Sequence, residues 1–310
     1  MVWRSLMISR PARLRREHFS LVIDQEQTAH VPFEDIAVIV LDHREITLTH
    51  PVLAACAEYG IALYATGDNH QPNGVMLPFL PHSRTARLLR RQLALSRPTA
   101  KQLWATIVRR KIENQAACLK LRGKLGVDRL ASYARRIRSG DPDNLEGQAA
   151  AFYFAQLFGA GFFRGDDARW ANAALDYGYA VLRGAIARAL VAHGLHPTVG
   201  LFHASEQNAF NLADDVIEPF RPLVDVYVAE QAARRPLPVV NEATREELQP
   251  TDKPPLVVLL NTDMAMPQGR MSALSAIEYV VESLTRSYEA DQATIDLPEL
   301  IGLTAHQLQY

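Results

Sequence analysis

The period of the apolar positions changes once along the chain. From residue 1 to about residue 80 they fall in short alternating or β-branched runs: WRSLMI, HFSLVID, TAHVPF and DIAVIVLD, then EITLTH, IALYA and GVML. A period of two over such short runs predicts strands. Residues 51–59 (PVLAACAEY) depart from it and predict a helix, entered at Thr49 or His50 and stopped by Gly60. Asp68-Asn69 and Pro72-Asn73-Gly74 supply turns. Trp3, Phe19, Phe33 and Tyr64 are expected in the core of this part.

Beyond Pro78 and Pro81 the period becomes helical. Helices are predicted over 85–94, 99–121 and 128–138, then over LEGQAAAFYFAQLF capped by Asn144, over 168–192 ended by Gly194, and over 272–289. His193 and His196 straddle the end at Gly194, where a capping or surface role is expected. ARRPLPVVNEATREELQPTDKPP reads as loops around a short helix, and LVVLL fits either a strand or a helix. The expected class is α+β: a small N-terminal β-sandwich-like domain (1–80), a larger all-α domain (84–290) and a partly disordered tail (291–310).

Composition adds little, with 48% hydrophobic and 22% charged residues in 310. Cys56 and Cys118 lack metal-motif spacing and are expected as buried free thiols in a reducing compartment. No apolar run reaches membrane-spanning length and the N-terminus lacks a signal-peptide core, so a cytoplasmic protein without membrane contact is expected. Charge distribution changes the picture more. Residues 84–138 hold 16 of the 33 Lys and Arg against only Glu113 and Asp128, an excess of 14 in a chain of net charge -1. Such a surface repels itself unless an anion neutralises it, and nucleic acid is the natural polyanion.

Candidate chemistry gathers in residues 203–225, HASEQNAFNLADDVIEPFRPLVD, which carry His203 with Glu206, Asp214, Asp215, Glu218 and Asp225. On one straight helix His203 and Glu218 would stand roughly 22 Å apart, so the chain must turn, most simply between Ser205 and Asn211. Asn208 or Asn211 would cap the helix that follows, and Asp214, Glu218 and Asp225 are expected on one side of it. Pro219 ends or bends that helix. A nitrogen ligand with carboxylates suits Mn²⁺ or Mg²⁺ better than structural zinc, and beside a polyanion-binding surface it suits phosphodiester chemistry. Glu146, on an otherwise apolar or small helix, is either a dipole-favoured carboxylate or a further ligand.

WRSLMISRPARL, VPFEDIAVIVLD, PHSRTARLLRRQL, KIENQA, LEGQAA, LDYGYAVLRG, VGLFH and LADDVIEPFRPLVD, in this order, resemble the CRISPR-associated spacer-acquisition integrase and endonuclease family. The branch resembled serves systems with a single large effector nuclease. The resemblance implies an N-terminal β domain on a larger helical domain, and Mg²⁺ or Mn²⁺ held by Glu146, His203 and Glu218. Asp214 or Asp215 would assist, and Arg84, Arg87, Arg90 and Arg91 would contact DNA. It further implies a homodimer that assembles with a small ferredoxin-like partner into a hetero-hexamer, with other proteins of the locus as further partners. Its reaction is attack of a DNA fragment's 3′-hydroxyl on a phosphodiester at the repeat. On the residues alone two alternatives stand: a metal-dependent nuclease that does not join, and a non-catalytic binding module in which Arg221 simply pairs with Glu218.

Overall fold

The computed structural model describes residues 4–67, 72–79, 82–166, 169–235 and 248–303. Eight strands fill its N-terminal part. Arg4–Ile8 (β1), Ile36–Leu41 (β5), Ala62–Thr66 (β7) and Pro72–Met76 (β8) form one sheet in that order, parallel except for β8. Ala29–Pro32 (β4), Ser20–Asp24 (β3), Ala12–Glu17 (β2) and Ile46–Leu48 (β6) form the other. Helix His50–Glu58 (α1) follows N-cap Thr49 and stops before Gly60, whose φ of 69° suits glycine. Strand β5 reads as a continuous apolar run because both its faces are covered. Val38 and Val40 pack into the helical core, whereas Ile39 and Leu41 face the second sheet.

Strand β2 has no counterpart among the expected strands. Three arginines and a glutamate mask an alternation in which only Ala12 and Leu14 are buried. Phe33 and Tyr64 are core residues as expected, but Phe19 is 72% exposed. It lies between β2 and β3 beside His18, whose φ of 51° makes the turn, so its ring falls outside the pleat. Trp3 and the Asp68-Asn69 turn lie outside the described residues.

The helical part comprises Thr85–Ala94 (α2), Arg97–Leu121 (α3), Val127–Arg136 (α4), Leu145–Phe158 (α5), Trp170–Ala192 (α6), Asn211–Val216 (α7), Arg221–Arg234 (α8), Lys253–Val258 (α9) and Ala273–Ala290 (α10). LVVLL resolves as helix, continued by a 3-10 turn at Leu259–Asn261. This part is not all helix. Asp263–Met266 (β9) and Gly269–Ser272 (β10) form an antiparallel hairpin, turned at Pro267-Gln268 before Gly269 with φ 127°. After α10, Leu297 and Leu300 are buried and Glu299 pairs with Ala265, so residues 291–303 of the expected tail pack against the helical part. Residues 304–310, residues 236–247 and Ala168 lie outside those described. Cys56 and Cys118 are buried free thiols. His193 Nε2 lies 3.0 Å from Glu278, and the His196 backbone N–H and C=O exchange hydrogen bonds with the Gln92 side-chain amide. Among the described residues no helix is long and apolar enough to cross a membrane.

Helix α3 positions the site. It packs against α4, α5 and α8. The side chain of its N-cap, Ser96, accepts from Thr99 N. Its inward stripe runs Trp104, Val108, Lys111 and Gln115, all buried, so a lysine stands where an apolar residue would ordinarily pack.

Candidate active site

Lys111 Nζ donates to Glu146 Oε1 at 2.6 Å and lies 2.5 Å from Glu218 Oε2. Two carboxylates far apart in sequence thus converge on one buried ammonium. Glu146 reaches it from the first turn of α5. There Asn144, in the left-handed region, accepts from Gly147 N, and Asp141 accepts from Leu145 N and Glu146 N. Glu218 reaches it from the turn between α7 and α8. That turn is held by Asn114, one helical turn after Lys111, which donates to Pro219 O at 2.7 Å and Pro298 O at 3.0 Å.

Glu218 is 4% exposed, and its Oε1 accepts from Arg221 Nε at 3.0 Å. Its Oε2 lies against Lys111 Nζ at 2.5 Å and makes no further contact of this kind among the described residues. Burial would raise the Glu218 pKa, yet Arg221 and Lys111 outweigh it and the value lies below the ordinary one. Burial would likewise lower Lys111, but Glu218 and then Glu146 hold it above its ordinary value. Both groups are therefore charged at neutral pH.

His203 comes in on the loop before α7. Asp215, fully buried, organises that loop: Oδ2 accepts from Leu201 N at 2.6 Å and Phe202 N at 3.1 Å, and Oδ1 from His203 N at 3.1 Å. Oδ1 also lies 2.7 Å from His203 Nδ1, and this bond is the main reason the imidazole pKa is raised. With Nδ1 engaged, Nε2 has no hydrogen-bond partner among the described residues. A carboxylate on one imidazole nitrogen fixes the ring so that the other nitrogen can take a proton or a metal.

The turn expected between Ser205 and Asn211 is present, but the helix after it is short. Its N-cap is Phe210, with Asn208 accepting from Phe210 N and Asn211 from Ser205 N. Because α7 ends at Val216, the i,i+4 relation beyond it fails and the three acids do not share a side. Asp214 pairs with Arg183 at 2.8 Å and accepts from Asn208. Asp225 accepts from Tyr153 at 2.9 Å and from Tyr179 in the core. Glu206 is exposed. Of the two aspartates, Asp215 serves His203 and Asp214 serves Arg183.

Burial pushes the Asp225 carboxyl up to about 6, against the pull of the Tyr179 and Tyr153 hydrogen bonds. A carboxylate raised above its unfolded value near 3.9 destabilises the fold when ionised, so its contribution worsens as pH rises from about 4 to about 6. A shift of roughly two units corresponds to about 3 kcal/mol. Urea titrations of the Asp225→Asn variant should therefore show a gain relative to wild type at pH 8 that shrinks toward pH 4. A pH-independent difference would refute this.

Lys111 is the site residue that sequence reading missed, although a lysine at position 111 of an apolar stripe was a legible signal. Arg84, Arg87, Arg90 and Arg91 are exposed on or before α2. Arg87 pairs with Glu289, and the other three make no ion pair among the described residues. Lys101, Lys120, Lys124, Arg135 and Arg136 are exposed as well. Among the described residues no three His, Cys, Asp or Glu side chains lie close enough to enclose an ion as they stand, with Lys111 between the glutamates.

Paired glutamates and an oriented imidazole, set into helices that carry a cationic surface, equip an enzyme for work on phosphodiesters. The family model for CRISPR associated protein Cas1 matches residues 6–243. The CRISPR-associated endonuclease Cas1 of Neisseria meningitidis serogroup C (strain 8013) is 42% identical over 312 residues, all of both chains. A Cas1 endonuclease of Thermus thermophilus is 38% identical over 124 residues, covering 37% of this chain and 38% of its own. Among solved structures, a casposase bound to integration product superposes with a TM-score of 0.76 at 19% identity, covering 98% of this chain and 96% of its own. A Cas1 protein from Thermotoga maritima gives 0.73 at 18%, covering 94% and 99%. The chain belongs to the Cas1 family, with its mixed α+β fold of N-terminal strands and a helical remainder.

Proposed function

We propose that this chain is a metal-dependent DNA endonuclease and integrase that inserts captured foreign DNA fragments as new spacers into a CRISPR array. The observation that carries the reading is the convergence of Glu146 and Glu218 on one cation, with the oriented His203 in the field of Glu218. Family membership, the endonuclease named as its full-length relative and the integration product in the superposed casposase support it.

The donor set fits a hard divalent ion. Glu218 Oε2 is buried against Lys111 alone among the described residues, His203 Nε2 is free among them, and Lys111 already marks where positive charge is wanted. Glu146, His203 and Glu218 would hold Mg²⁺ or Mn²⁺, which when bound supplies a Lewis acid for the target phosphate and the attacking 3′-hydroxyl. The chain's own groups do the rest. Asp215 keeps the imidazole facing the site, where His203 ligates or moves a proton. Lys111 and Arg221 place fixed positive charge beside the carboxylates, offsetting the negative charge of an approaching phosphate. Arg84, Arg87, Arg90 and Arg91, with the other exposed cations of 84–138, grip the DNA backbone.

In the same reading residues 1–80 form a sandwich-like domain that dimerises and positions the catalytic part (84–290). The homodimer joins a small ferredoxin-like partner in a hetero-hexamer, in the cytoplasm, within a system served by a single large effector nuclease. A superposed Cas6-RT-Cas1–Cas2 complex supports a Cas-protein partner; it has a TM-score of 0.70 at 16% identity and covers 94% of this chain and 36% of its own.

The test is a strand-transfer assay on short branched duplex DNA in Mn²⁺, with and without EDTA. Products of joined length, lost on chelation, are expected. Shortened substrate alone would replace the integrase by a nuclease that does not join. Tight binding with no reaction would leave a binding module in which Arg221 merely neutralises Glu218.

A further inference from the structure

We propose that Phe202, backed by Trp104, is a nucleobase-stacking subsite beside the reacting phosphate. The proposal rests on the integrase reading and adds a ligand contact to it. Phe202 is 54% exposed, yet its ring lies on that of Trp104 with centroids 4.4 Å apart and planes within 2°. Trp104 is 1% exposed and fixed in the stripe of α3. One face of the phenyl ring is thus held by a buried indole while the residue stays more than half open. Phe19, Phe79, Phe163 and Tyr279 are also exposed, but none of them stacks on a buried ring among the described residues.

Location gives this ring its occupant. Phe202 is the neighbour of His203, with centroids 5.7 Å apart, and the imidazole also meets Trp104 edge-on at 5.8 Å. Asp215 accepts from the backbone N–H of both Phe202 and His203, so one buried carboxylate sets ring and imidazole together. Trp104 stands seven residues before Lys111 on the same helix face, about 10 Å along the axis from the point where Glu146 and Glu218 converge. Lys101, one turn earlier, is exposed and makes no ion pair among the described residues, so a backbone phosphate can sit there.

A planar apolar ring adjoining the imidazole, with an exposed cation one turn away and the phosphodiester site farther along the helix, matches a base that flanks the target phosphate. Every base has a π-face, and stacking on an aromatic side chain is tolerant of sequence. The subsite therefore seats whichever base flanks the target phosphate, and it favours one splayed from its partner at a branch.

The test is a coupling measurement in EDTA, independent of any metal, between position 202 and an abasic nucleotide on either side of the target phosphate. Fluorescence anisotropy with branched duplex DNA gives the affinities. In the wild type, removing the base at one of the two flanking positions should weaken binding about fivefold to a hundredfold. In Phe202→Leu and Phe202→Met, which keep an apolar cover on Trp104 but lack a ring, the intact DNA should bind that much more weakly and removing the base should change nothing further. Phe202→Tyr should restore the wild-type response. Additive effects of variant and abasic site, or a Phe202→Tyr that behaves like Phe202→Leu, would overturn the subsite. Wild-type joining in Mn²⁺ is run in parallel: its failure counts against the integrase reading, whereas additivity with joining intact counts against the subsite alone.

Discussion

Alanine at Glu218 is expected to abolish strand joining and to lower stability, whereas alanine at Glu146 should abolish joining at little cost to the fold. The difference lies in burial. The Glu218 side chain is 5% exposed between Arg221 and Lys111, and the Glu146 side chain is 24% exposed. Removing Glu218 leaves Lys111 buried with one carboxylate and Arg221 with none at that position. Breaking a buried pair by deleting one partner costs about 3–5 kcal/mol. Deleting Glu146 leaves Lys111 paired with Glu218 and opens only a partly exposed position, so a smaller loss than for Glu218 is expected. His203→Ala removes the imidazole but leaves the Asp215 carboxylate its backbone donors, and it too should lose joining with the fold intact.

Urea melts, strand-transfer gels in Mn²⁺ and salt-dependent DNA binding separate these effects. Binding should survive in all three variants, since the exposed arginines of α2 and the cations of α3 and α4 are untouched. Wild-type joining by any one of the three would remove that residue from the site. Glu218→Gln is the sharper variant. It keeps the volume and the contact with Arg221 but not the charge, and joining should be lost with a smaller change in stability.

The sequence carried the fold where one period ruled. Helices α2 and α5 have the bounds their patterns predicted, α2 from its apolar stripe alone and α5 because stripe, cap and turn residue agree. It failed where charge hides periodicity or a turn intervenes. Strand β2 is concealed by arginines, and the β9–β10 hairpin by its four-residue strands. The site divides the same way. Glu146 and Glu218 stand out in the sequence, and tertiary packing brings them to one point. The shared face expected for Asp214, Glu218 and Asp225 required one helix, and the chain breaks that helix after Val216. Lys111 could be seen as an odd residue on a stripe, but which acids it would meet depends on how α3, α5 and α8 pack, and no local pattern states that.

The loop bearing His203 should be sensitive too, and through residues other than the imidazole itself. Asp215→Ala removes a fully buried carboxylate that accepts from three backbone N–H groups and the imidazole. Stranding those donors should cost about 3–5 kcal/mol, by the penalty for each unsatisfied buried group. The imidazole, no longer held, should drift, and a misplacement of about 1 Å can cost about a hundredfold in rate. Gly200→Ala reaches the same loop from the other side. A Cβ there would stand 2.2 Å from the His203 carbonyl and 2.9 Å from Asp215 Oδ2, and since the first of these is backbone, the loop must move. For both variants, at a temperature where melting curves show them folded, the joining rate should fall about a hundredfold while DNA affinity changes little. The His203 ring resonances should broaden or shift. A merely structural role predicts lower stability with an unchanged rate per folded molecule and unmoved imidazole signals, and that result would separate the Asp215 carboxylate from the chemistry of His203.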